Sequence, residues 1–176
     1  MKLDVPVLLM LSLVAATVQT SVPLSGWMVI KPPLLTAVAA YYATSRTLPL
    51  ALTAALWTGA LTDACSGLAF PVTPVLFMVL CGVLRYLRRY MNATVLWRGA
   101  IVVAAAAPIQ AAWYCVVVGK SGLAWDDFLR GLMAAVGVGA IVGLVVFQMC
   151  GWFDRLAGNV KGAVSGDGIP WHNADI

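Results

Sequence analysis

Ionisable side chains that could do chemistry are scarce in this chain, and the most unusual of them is Asp63. It lies in the stretch GALTDACSG, residues 59–67, after a long run without any charged residue. An isolated charge in such an apolar setting is costly, so ionisable groups there pair or face a cavity. Lys31, at the start of a neighbouring apolar segment, is the partner that we expect. Asp63 or Ser66 could also accept N–H groups where the next helix starts.

No catalytic or metal-binding arrangement is predicted. Asp126 and Asp127 are adjacent, so on a helix they point about 100° apart and do not converge on one substrate. His172 is the single histidine and lies in a polar tail, away from the hydroxyl groups of the apolar segments. We expect a protein that is not an enzyme and that has no cofactor and no metal. The cysteines lack the CxxC spacing of zinc sites and follow no disulfide pattern: Cys65, Cys81, Cys115 and Cys150.

The composition indicates an integral membrane protein. Of the 176 residues, 62% are hydrophobic and 10% are charged, none is glutamate, and the mean hydropathy is +0.93. A soluble domain of this size exposes most of its residues to water and could not cover so much apolar surface. In a soluble protein, the net charge of +4 would suggest binding to a nucleic acid. No glycine-rich loop or base-stacking array accompanies it here, so no nucleic-acid partner is expected.

Six apolar segments, each near the ~20 residues of a membrane-spanning helix, predict an all-α polytopic membrane protein. A closed β-barrel is excluded, because its strands would alternate apolar and polar residues, whereas these segments are apolar throughout. The first segment resembles a cleavable signal peptide. Asp4 before its apolar run and a second apolar segment directly after it argue against cleavage, so we expect the first segment to remain as a membrane span. We expect one six-helix bundle over residues 1–158 and a short disordered cytoplasmic tail over 159–176. The segments are Val5–Val22, Trp27–Thr44, Leu48–Cys65, Leu68–Leu87, Trp97–Val118 and Phe128–Trp152.

The arginines predict the orientation. They cluster between the fourth and fifth segments, so this link should be cytoplasmic. With six spans, both termini are then cytoplasmic as well. The same charges could contact anionic lipid headgroups or an acidic cytoplasmic protein. The cytoplasmic basic link consists of Arg85, Arg88, Arg89 and Arg98.

Small residues form a stripe in the last segment. Ala135, Gly139 and Gly143 recur every four residues, and the fifth segment has a similar stripe. Small residues at this interval let membrane helices approach each other closely. The stripe predicts either packing within the bundle or a docking face for a partner helix.

The first three segments resemble the MreD family of bacterial rod-shape-determining membrane proteins. Residues 18–43, VQTSVPLSGWMVIKPPLLTAVAAYYA, followed by GALTDACSG, have that family's order of polar residues and prolines at the ends of the spans. The match covers about half of the chain, roughly residues 10–90. The chain departs from the usual pattern at Pro71 and in its glycine-rich last segment. The matching residues are Gln19, Lys31, Pro32, Tyr41, Tyr42, Gly59, Asp63, Ser66 and Gly67.

The resemblance implies a non-enzymatic component of the cell-wall elongation complex in the bacterial inner membrane. Members of the family act with the bitopic protein MreC. Associated proteins are RodA, its class-B penicillin-binding transpeptidase and the actin-like protein MreB.

The family's architecture is also similar to the six-helix substrate-binding subunits of energy-coupling-factor vitamin transporters. This similarity leaves a second function open, a substrate-capture subunit with a ligand cavity on its outer half. A small-solute channel is a third, which the apolar inner halves of the segments disfavour. The cavity would be lined by Gln19, Lys31, Asp63 and Gln110.

Overall fold

The computed structural model describes residues 4–21, 32–66, 72–88, 90, 95–118 and 125–156. Within these ranges the chain forms helices and no strand, so the predicted all-α class is confirmed. The helices are α1 Asp4–Ser21, α2 Leu34–Ser45, α3 Leu48–Ser66, α4 Thr73–Arg88, α5 Val95–Val118 and α6 Trp125–Leu156.

Each predicted apolar segment corresponds to one helix, with ends that differ by a few residues. Among the predicted ends that lie within the described residues, the largest difference is in α6, which has 32 residues and is therefore about 48 Å long. It continues past the predicted end at Trp152 to Leu156. The start of the second segment and the predicted tail over 159–176 lie outside the described residues.

Three of these helices are long and apolar enough to cross a membrane, which indicates a membrane protein. They are α3, the part of α5 over Trp97–Val116 and the part of α6 over Phe128–Leu156. Large apolar side chains also cover the outer faces of the bundle. Val79, Ile101 and Ile141 are 60%, 52% and 66% exposed. Apolar surfaces of this kind suit a lipid surrounding better than water.

Helix α2 lies at the centre of the bundle. It contacts all five other helices, and ten of its twelve residues are buried. Its alanines leave little side chain between the backbones, so neighbouring helices can approach closely. Tyr42 is fully buried among them. The polar side chains of Thr36 and Thr44, near the two ends of α2, are likewise buried.

The small-residue stripe of α6 packs against α5. A Cβ atom built on Gly143 would meet the backbone oxygen of Gly99 and lie 2.9 Å from the Cβ of Val103. A Cβ built on Gly139 would lie 2.9 Å from the Val103 carbonyl oxygen. Ala135 is buried in the same interface. The stripe thus serves packing within the bundle, and a partner helix could occupy this face only by displacing α5.

Candidate functional site: polar contacts at the two ends of the bundle

Buried polar side chains are found at two opposite ends of the bundle. The Asp63 end contains the C-termini of α1 and α3 and the N-termini of α2 and α4. The Asp154 end contains the C-termini of α2, α4 and α6 and the N-terminus of α5. The contacts at the Asp154 end join helices that are not consecutive in the sequence.

Asp63 caps the start of α4. Its Oδ2 atom accepts a hydrogen bond from the backbone N–H of Thr73 at 2.9 Å, and Thr73 is the first residue of that helix. Pro74 follows at a first-turn position where its missing N–H does no harm. Gly59, one turn before Asp63, allows this approach, because a Cβ there would lie only 2.7 Å from the Pro74 nitrogen. Asp63 therefore has the helix-start role that its position predicts.

The second oxygen of Asp63 has no hydrogen-bond partner among the described residues. Asp63 is only 3% exposed, so this oxygen is buried as well. Lys31, the partner that the sequence predicts, lies outside the described residues. The ion pair between Asp63 and Lys31 therefore stays a prediction.

Two variants of Asp63 separate its roles. Asp63→Ala should lower the free energy of unfolding by about 0.5–2 kcal/mol, as the loss of a helix cap does. Asp63→Asn keeps an oxygen that accepts the Thr73 N–H, so it should lose clearly less. Thermal unfolding in detergent measures both, followed with a dye that reacts with the buried thiols of Cys81 and Cys150. Equal losses in the two variants would contradict capping as the main role and favour a charge pair.

Gln19 and Gln110 join α1 and α5 to the start of α2. The buried Gln19 side chain accepts a hydrogen bond from the Leu35 N–H through its Oε1 atom at 3.4 Å. The Thr36 hydroxyl donates to Oε1 of Gln110. Three of the four side chains predicted to line a ligand cavity thus make bonds within the protein. Such bonds fix the helices and leave fewer groups for a ligand.

Two other residues of the family pattern, Pro32 and Ser66, lie at helix ends that meet at the Asp63 end. Pro32 precedes α2, and its carbonyl oxygen accepts the Leu34 N–H at 2.9 Å. Ser66 is the half-buried last residue of α3. Gly67 lies outside the described residues.

The strongest polar contacts of the described chain lie at the Asp154 end, and the sequence interpretation missed them. Asp154 is 1% exposed. The Tyr41 hydroxyl donates to its Oδ2 atom at 2.5 Å, and Nη2 of Arg46 lies 2.6 Å from its Oδ1 atom. Charged pairs of this kind, surrounded by protein, are strong and depend on both partners. The contact connects the C-terminal ends of α2 and α6.

One signal could have identified Asp154. Gly143, Phe147, Cys150 and Asp154 follow one another at intervals of four, three and four residues. Residues at this spacing lie on one face of a helix. The acid therefore continues the buried face of α6.

The basic link also contributes to the Asp154 end. Arg85 donates a hydrogen bond through Nη1 to the carbonyl oxygen of Arg46 at 2.9 Å, and Arg46 is the C-cap residue directly after α2. This bond satisfies a carbonyl group that has no partner within its own helix. Arg88 and Arg98 are half-buried at the same end, and Arg89 lies outside the described residues.

Both sets of contacts act on helix geometry. At the Asp63 end they supply acceptors to the first N–H groups of α2 and α4, and at the Asp154 end they hold the last turns of α2, α4 and α6. Asp126, by contrast, is exposed in the first turn of α6, as expected of a solvated acid at a helix N-terminus.

Comparison of the chain with protein-family models, curated proteins and solved structures finds no match.

Proposed function

We propose that this protein is a non-enzymatic component of the bacterial cell-wall elongation complex and acts there as MreD proteins do. In this proposal it binds MreC in the inner membrane and contributes to rod shape. RodA, the class-B transpeptidase and MreB are further members of the same assembly. The proposal starts from the order of polar residues and prolines at the ends of the first three helices.

One observation favours a scaffold over a capture subunit. Gln19 and Asp63 belong to the family pattern. Their buried side-chain oxygens accept hydrogen bonds from backbone N–H groups in the first turns of α2 and α4. Gln110 accepts a hydrogen bond from Thr36, which lies in the first turn of α2. A scaffold needs helices that keep fixed positions, so that their outer faces present a constant surface to partner helices. A capture subunit needs the same polar groups to be available to its ligand.

The topology of the proposal has six spans and two cytoplasmic termini. The Asp154 end, with Arg46, Arg85, Arg88 and Arg98, is then the cytoplasmic end, as expected from the excess of positive charge in cytoplasmic links. The Asp63 end faces the outside. The spans are α3, α5 and α6 together with the shorter helices α1, α2 and α4. The exposed apolar faces of the bundle contact lipid and partner helices.

Co-purification tests the proposal. The full chain with a tag at its C-terminus is isolated from native membranes in mild detergent, and bound proteins are identified by mass spectrometry. We expect MreC to be recovered, with RodA and the transpeptidase in smaller amounts. An unrelated polytopic membrane protein with the same tag serves as the control.

Two results would contradict the scaffold. Recovery of an ATPase-driven transporter module together with a vitamin-sized molecule would favour the capture subunit. Recovery of MreC at the level of the control protein would remove the elongation complex from consideration.

A further inference from the structure

Helix α6 has an outward face that none of the other described helices covers. This face lies opposite the stripe that packs against α5. Ile141 and Trp152 on it are 66% and 58% exposed, and Gly137 is exposed as well. A Cβ atom built on Gly137 meets no atom within 4 Å. The outward face is therefore open to a contact from outside the bundle.

Gln148 lies in the middle of this outward face. It is the only residue with an amide, hydroxyl or charged side chain between Arg130 and Asp154. Its side chain is exposed and makes no hydrogen bond with the part of the chain that the structure describes. In a membrane, this side of α6 faces hydrocarbon, where an amide without a hydrogen bond is energetically unfavourable.

Gln148 is also badly placed to reach water. It lies six residues before Asp154, which is about 9 Å along the helix axis. Side chains of a helix tilt toward its N-terminus, so the amide points away from the Asp154 end and toward the interior of the membrane. The amide therefore needs a polar partner within the membrane.

A second copy of this chain supplies such a partner at the matching depth. Copies of one sequence have the same distribution of arginines and insert in the same orientation. Two α6 helices then run parallel, and their Gln148 residues lie at the same depth. A carboxamide both donates and accepts hydrogen bonds, so two of them can bond to each other across a two-fold axis.

The residues around Gln148 have the spacing of two parallel helices in contact. Apolar or small residues at alternating intervals of three and four form such a seam, and one polar residue within it fixes the register of the two helices. The open positions of Gly137 and Gly151 let the backbones approach closely. The seam consists of Ala134, Gly137, Ile141, Leu144, Gln148 and Gly151.

We propose that this seam binds the same seam of a second copy and forms a two-fold symmetric dimer in the membrane. The two Gln148 amides bond to each other, and the contact extends from Ala134 to Gly151, about 26 Å along α6. The contact between α5 and α6 within each copy stays intact, because it uses the opposite side of α6. This dimer does not depend on the function proposed above, so either can fail without the other.

Energy transfer between labelled copies tests the dimer. Full chains with a donor or an acceptor dye on a C-terminal tag are mixed in vesicles of phosphatidylethanolamine and phosphatidylglycerol, at decreasing ratios of protein to lipid. We expect the transfer to fit a monomer–dimer equilibrium. Gln148→Leu should lower the dimerisation constant about tenfold, the effect of losing two hydrogen bonds between membrane helices. Gln148→Asn keeps an amide and should lose less.

Two further variants separate this seam from the other lipid-facing surfaces. Thr53 on α3 is exposed, but its hydroxyl donates to the carbonyl oxygen of Leu50 at 2.9 Å, so Thr53→Val should leave dimerisation unchanged. Gly137→Leu should weaken the dimer, because leucine adds bulk between the two helices although the single chain has room for it. Thermal unfolding checks that each variant is folded.

Three results of this assay would overturn the proposal. The first is a wild-type chain that stays monomeric at every ratio of protein to lipid. The second is equal dimerisation by the wild type and Gln148→Leu. The third is a loss in Thr53→Val as large as the loss in Gln148→Leu.

Disulfide cross-linking in native membranes identifies the occupant of the seam. Under a membrane-permeable oxidant, Ile141→Cys should form covalent dimers, because a disulfide requires Cα atoms within about 7 Å. Val79 on α4 is 60% exposed, so Val79→Cys is the control and should stay monomeric, and the wild type shows the background from the native cysteines. Dimers of Val79→Cys without dimers of Ile141→Cys would contradict the seam. Cross-links from Ile141→Cys only to a different protein would overturn the second copy as its occupant.

Discussion

Replacement of Asp154 by alanine is expected to lower the free energy of unfolding by about 3–5 kcal/mol, the usual loss when one member of a buried ion pair is removed. Arg46 would lose a carboxylate at 2.6 Å, and the Tyr41 hydroxyl would lose its acceptor at 2.5 Å. Because these groups are buried or nearly so, water replaces the lost contacts poorly. Thermal unfolding in detergent, followed through the buried thiols of Cys81 and Cys150, measures the change.

The same helix offers a matched control. Asp126 is exposed in the first turn of α6, so Asp126→Ala should change stability by no more than about 0.5 kcal/mol. The double variant Arg46→Ala with Asp154→Ala should lose less than the sum of the two single variants, because neither charge is left without the other. Similar stabilities for Asp154→Ala and Asp126→Ala would contradict the buried contact.

Replacement of Gly143 by leucine is expected to disrupt the packing of α5 against α6. Even the Cβ atom would meet the backbone oxygen of Gly99, and a backbone atom cannot rotate away as a side chain can. Overpacking in a tight interior lowers stability by about 1–3 kcal/mol, and we expect a loss at or above the upper end of this range. The thermal unfolding assay in detergent measures it.

Gly137 is the control for this substitution. It lies on α6 less than two turns from Gly143, and a Cβ built there meets no atom within 4 Å. Gly137→Leu should be neutral or stabilising, because leucine favours a helix more than glycine by somewhat less than about 1 kcal/mol. A Gly143→Leu variant as stable as Gly137→Leu would mean that the two helices are separated more widely than the structure has them.

The helix positions could be predicted because each helix is dominated by one apolar run. Prolines near the first turns of α2 and α4 mark where two of the helices begin. The end of α6 was harder to predict. Its last turn contains Asp154 and Arg155. Two adjacent charged residues occur in helix ends and in loops alike, so the sequence does not show where this helix ends.

The two buried acids differ in how far the sequence could predict their roles. Asp63 lies ten residues before the start of α4, and an acid near a helix start commonly caps the first N–H groups of that helix. Asp154 bonds to Tyr41, which is 113 residues away along the chain. No local pattern connects the two, since their contact depends on how α2 and α6 cross. The spacing of Ala135, Gly139 and Gly143 likewise predicts close packing, but it does not identify α5 as the helix that packs there.

The central position of α2 has a consequence for the order of events during synthesis. α2 precedes α5 and α6 in the chain and leaves the ribosome before them, so these partners of its polar side chains are made later. Thr36 bonds to Gln110 in α5, and Arg46 pairs with Asp154 near the end of α6. The contacts of α2 are therefore complete only after α6 has been made. A chain that stops earlier lacks the carboxylate that Arg46 contacts in the finished bundle.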